Sequence, residues 1–178
     1  MAEFTDVGYA IGGLTTLLQG SLPAKLNTLD AEYSDSITLG DVDNIDYFWA
    51  ELDRYPTYPA IVIKPTLDQT GDQGGAFNLQ TQNIQIHVLI ASNESYTGTF
   101  YGVASKTLLP QEVAIVRLLR TMRGIMELLR DARTLPISAA NTVEFTDITP
   151  PQFFDFEVVN DSTFIAPGVI RVACLISP

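Results

Sequence analysis

The sequence predicts an α+β fold in which a mostly antiparallel sheet packs against one long amphipathic helix and N-terminal helices. Three observations carry this. An apolar run spaced by threes and fours occupies residues 115–129, β-branched runs lie on either side of it, and the segment order is helix, helix, strand, strand, helix, then two or three strands. A length of 178 residues with 46% apolar and 17% charged side chains suits a single domain with its own core. Within it, residues 35–57 read as an acidic insertion and about 149–163 as a turn and loop extension.

The N-terminal helices come as two pieces. Asp6 can cap a first helix carrying Val7, Ile11, Leu14, Leu17 and Leu18, which Gly8, Gly12 and Gly13 weaken and Gly20-Ser21 ends. Beyond Pro23 a second, short helix runs through Leu26, Leu29 and Tyr33. An acidic loop follows from Asp35 to about Glu51. Pro59 to Lys64 is β-branched and bounded by prolines, a buried strand ending at Pro65. Gly71 to Gly75 makes a turn, and a longer strand run spans Ala76 to Ala91. There Ile84, Ile86, Val88 and Ile90 share one face, whereas Phe77 and Leu79 have the other parity, so a bulge near 80–83, or a junction of two strands, is expected.

The clearest helix covers about 109–132. Ile115, Leu118, Leu119, Met122, Ile125, Met126 and Leu129 form its apolar stripe, Pro110 suits its first turn, and Glu112 suits its positive dipole end. At 100° per residue Arg117 and Arg120 fall opposite that stripe and Arg123 at its edge. Strands then follow at Thr142 to Ile148, Phe153 to Val159, and a last one with Ile170, Val172, Cys174 and Ile176 on one face.

Composition removes several function classes. No apolar run reaches the ~20 residues of a membrane helix, and Met-Ala-Glu-Phe-Thr-Asp lacks a basic signal start, so a soluble, unprocessed protein is expected. One cysteine and one histidine are too few for a disulfide framework or an intrachain zinc site, and no cofactor is expected. The formal charge of −11, from 10 basic and 21 acidic residues, argues against a nucleic-acid-binding surface. The basic charge is concentrated: residues 106–133 hold 6 basic and 3 acidic side chains, against 3 and 13 in residues 1–105.

No catalytic or metal-binding set emerges. His87 lacks a partner at any local spacing and reads as a packed or interface histidine. Cys174, among Val172 and Ile176, reads as a small apolar residue. Asp41, Asp43 and Asp46 resemble the start of a calcium loop, but Ile45 and Asp46 stand where such a loop needs an oxygen ligand and a glycine; a solvated or channel-facing acidic loop is the better reading. Gly71 to Gly75 lacks a following Lys-Ser/Thr and a helix, so it reads as a hairpin turn and not a phosphate loop. Tyr47, Phe48 and Trp49 are either core aromatics or an interface anchor. Arg117, Arg120 and Arg123 are either a solvated helix face or a patch that meets acidic surface on another copy, and a heterologous contact of that kind can close into a ring.

Leu22-Pro23-Ala24 in the helical N-terminal region, the strand from Tyr58 to Ile63, the glycine turn, the strand from Ile84 to Val88, the amphipathic helix and the paired C-terminal strands together resemble the tail-terminator proteins of long-tailed bacteriophages. The resemblance covers most of the chain in order and spacing. It implies a structural virion protein without enzymatic activity: a hexameric ring at the head-proximal end of the tail tube, which stops tube growth and docks the head. The implied partners are further copies of itself, the tail tube protein and a head-side connector, assembled in the host cytoplasm into the neck of the virion. DNA passing through such a ring is repelled by acidic loops, not bound. Another neck or connector protein, an acidic protein-binding module and a carboxylate-based hydrolase are the alternative readings.

Overall fold

Side-chain alternation and two helical stripes produce two layers. A computed structural model describes residues 7–33, 35–40, 42, 44–47, 58–66, 80–100, 102–136, 142–155, 157–160 and 162–177. Its elements are α1 (Val7–Tyr33), β1 (Asn44–Tyr47), β2 (Ala60–Pro65), β3 (Gln80–Ser92), β4 (Tyr96–Phe100), β5 (Val103–Leu108), α2 (Pro110–Asp131), β6 (Thr134–Pro136), β7 (Thr142–Ile148), β8 (Gln152–Phe153), β9 (Glu157–Asn160) and β10 (Thr163–Ser177).

The main sheet has the order β1-β2-β3-β10-β7-β6, with β8 and β9 also paired to β10. All its pairings are antiparallel except β1 with β2. Even-numbered residues of β3 and β10 point to the helices: Ile84, Ile86, Val88, Ile90, Ala166, Ile170, Val172 and Cys174 share one buried core with Ile61, Ile63, Val143 and Phe145. The opposite face carries a smaller buried group, Ala60, Leu89 and Ile165. Strand β3 keeps register with β10 from Gln80 to Ser92, so no bulge interrupts 80–83. Phe77, Leu79 and the Gly71 to Gly75 turn lie outside the described residues.

The N-terminal region departs from expectation. It is one helix of 27 residues that passes through Gly20, Ser21 and Pro23 without stopping. Its buried stripe explains why: Ile11, Leu14, Leu18, Leu22, Leu26 and Leu29 are all at most 2% exposed and run at intervals of three and four across the proline. A helix-interior proline costs about 3 kcal/mol, whereas burying Leu26 and Leu29 together contributes about 3–6 kcal/mol. The carbonyl deprived of a donor belongs to Gln19, which is exposed and open to water.

Helix α2 matches its predicted span. Pro110 sits in its first turn, the Glu112 carboxylate accepts a hydrogen bond from the Leu109 N–H at 2.8 Å, and the Ala132 N–H closes the far end on the Leu128 carbonyl. Two glycines let α2 settle. A Cβ on Gly168 of β10 would lie 2.6 Å from Met122 Sδ, and one on Gly124 would lie 3.2 Å from Leu26 of α1. Helix α2 therefore lies on β3 and β10, with α1 along one flank and over β1 and β2.

Candidate functional site

The basic helix was expected to turn its arginines outward. Arg120 lies about 200° from Leu118 on an ideal helix, yet it is 2% exposed. This corrects the sequence reading, and the cause is tertiary: residues 35–39 and the β4–β5 hairpin cover the back of α2. Ile37, Phe100, Leu108, Val113 and Val116 form a second small core there.

All three arginines are engaged within the chain. Arg120 grips Asp35 with two parallel hydrogen bonds, one of them 2.9 Å, donates to the Ile37 carbonyl at 3.2 Å, and stacks 4.0 Å above the Tyr33 ring. That guanidinium holds the Asp35 carboxyl below its ordinary range. Arg117 donates to the Thr38 carbonyl at 2.8 Å and pairs with Glu94 at 2.7 Å. Arg123 binds Glu127, Tyr33 Oη and Glu32, while Lys25 of α1 takes the other oxygen of Glu127 at 2.6 Å. Hydrogen bonds to Lys25 and Arg123 in turn hold the Glu127 carboxyl low. Asp30 accepts the Leu39 N–H. The charged back of α2 thus clasps the segment that leads into the acidic stretch.

The flank of α2 away from α1 is different. Ile115 and Leu119, about 60° and 100° round the helix from the sheet-facing Leu118, are 40% and 44% exposed. Phe153 is 48% exposed and pairs in register with Gly168, whose missing side chain would point at Leu118 and Met122. Directly paired residues share a face, so Phe153 stands on the helical side of the sheet beside this flank. Val158, 60% exposed, pairs with Phe164 on the same side. Sequence reading placed Ile115, Leu119 and Met126 in the core stripe; Met126 is half-buried and packs against the core, whereas Ile115 and Leu119 are exposed. The signal for the correction was present, since seven apolar residues make a stripe wider than one sheet contact needs.

The remaining candidates are dispersed. His87 lies on the sheet face away from the helices and hydrogen-bonds Gln85 at 3.0 Å. Burial, and then the nearby Lys64 charge, pushes its pKa down to about 4, so the ring is neutral at pH 7. Cys174 is buried, which pushes its thiol up to about 12. Asp46 is exposed on β1, opposite Val62, and Tyr47 ends that strand. Asp41, Asp43, Phe48 and Trp49 lie outside the described residues. Among the described residues no three His, Cys, Asp or Glu side chains converge as metal ligands, and no helix is long and apolar enough to cross a membrane.

No protein-family model and no curated protein matches the chain.

Proposed function

We propose that the chain is a structural component of a phage virion: a tail terminator that forms a ring at the head-proximal end of the tail tube, ends tube growth and joins the tail to the head. The observation that carries this reading is the engagement of the three central arginines of the basic helix within the chain. Arg117, Arg120 and Arg123 are paired with Glu94, Asp35, Glu32 and Glu127, so of the six basic residues in 106–133 only Lys106, Arg130 and Arg133 stand exposed toward a phosphate backbone. The chain as a whole keeps a net charge of −11. A ring of such subunits lets DNA pass without holding it, because acidic walls repel the backbone. The resemblance in segment order and spacing supports the place of that ring at the tube end.

The arginine interface expected from sequence is revised in this reading. Arg120 is too deeply buried to meet a neighbour; with Arg117 it serves the ring by holding residues 35–38, while Arg123 ties α2 to the end of α1 through Tyr33 and Glu32. Disrupting the gene in its phage and imaging the lysate tests the proposal. Tails of uncontrolled length without heads are the expected result. Normal-length tails joined to heads would overturn it.

A further inference from the structure

The outward row of α2 has a composition that suits one particular partner. Glu112, Ile115, Leu119, Arg123, Met126 and Arg130 recur at intervals of three and four, within about 40° of a common direction on the helix. The row is acidic at its N-terminal end, apolar through its middle and basic at its C-terminal end. Arg130 is exposed, and Arg123 is already neutralised by Glu127 and Glu32, leaving its aliphatic stem at the row.

We infer that this row is a two-fold contact with a second copy of the chain, the two α2 helices lying antiparallel. A row with opposite charges at its two ends is complementary to itself when reversed. About a two-fold axis near residue 121, Glu112 meets Arg130 of the second copy at both ends and Ile115 faces the second copy's Met126. Leu119 of each copy then packs on the second copy's Arg123 stem. Phe153 and Val158, on the same side of the sheet, widen the apolar area beside the helices.

The contact goes beyond the ring reading. A two-fold pair closes on itself and does not propagate round a six-membered ring, so it describes the free chain before it reaches a tube end. Sedimentation equilibrium and native mass spectrometry of the full chain test it. The wild-type chain is expected to dimerise, and Leu119→Glu, at an exposed position, to weaken the dimer at least about 10-fold, with an unchanged melting temperature when both chains are compared as monomers below the dimer's Kd. Glu112→Arg and Arg130→Glu should each weaken it about 10-fold, and the double variant should restore it to within about 3-fold of wild type. That rescue separates a cross-copy pair from a role of Glu112 in capping its own helix. A chain that stays monomeric at hundreds of micromolar overturns the contact, as does a dimer indifferent to Leu119→Glu or a double variant that is not rescued. Direct assembly of hexamers without a dimer overturns it while leaving the ring reading standing. A dimer that behaves as expected, alongside normal tails after gene disruption, overturns the ring reading alone.

Discussion

Arg120 illustrates how much a single residue's meaning depends on what covers it. Its position opposite an apolar stripe marks it as solvated, but the guanidinium lies beneath residues 35–39, with side-chain exposures of 1% for Arg120 and 10% for Asp35. Removing one member of such a pair strands the other. Arg120→Met is expected to lower stability by about 3–5 kcal/mol, and Arg120→Met with Asp35→Leu to recover most of the loss, as read from urea unfolding midpoints. A neutral single variant would contradict the burial. His87 gives a pH-dependent test. Its folded pKa of about 4 lies below the ordinary 6.5, so the unfolded chain takes up the proton first as pH falls. Stability is fully retained above pH 6.5 and declines toward pH 4, by on the order of 1–3 kcal/mol once the ring's partial exposure is counted. His87→Gln should flatten the slope between pH 6.5 and 5, where ordinary carboxylates contribute little. An unchanged slope would mean that the imidazole is protonated in the folded chain.

At the scale of elements, α1 and α2 depart from their local signals for related reasons. Proline and glycine at 20–23 argue for a break, but Leu22, Leu26 and Leu29 all pack into one core on either side of it, and that burial outweighs the local penalty. Pro23→Ala should therefore raise stability, by about 1–3 kcal/mol, because the helix already runs through the site and regains a donor. A lower melting temperature would show that the half-buried ring contributes packing worth more than the hydrogen bond. Helix α2 was legible in its limits, since Pro110, Glu112 and the approach to Pro136 act locally. Its rotation was not. Ile115 and Leu119 carry the same apolar label as Leu118 and Ile125, and only contact with α1 through Gly124 and with β10 through Gly168 decides which of them is covered. The β4–β5 hairpin was missed because most of its residues are exposed, leaving little hydrophobic alternation to read.

For the whole molecule, the net charge of −11 reads directly from the chain, but which charges face outward does not. Six basic residues in one segment suggest a patch, and the fold pairs three of them with Asp35, Glu94 and Glu32 contributed from other segments and with Glu127 of the same helix. The sequence by itself determined the α+β class, the span of α2, the strands at β2, β3, β7 and β10, and the helix-facing parity of Ile84 to Ile90 and Ile170 to Cys174. These follow from periodicity and from proline and glycine, which act over a few residues. Only the tertiary structure decided that α1 is continuous, that β1 joins β2 in parallel, that Arg120 is buried and that Ile115, Leu119 and Phe153 are not. Each of those depends on surfaces brought together from distant parts of the chain, where burial and ion pairing of a few kcal/mol outweigh local preferences of a similar or smaller size.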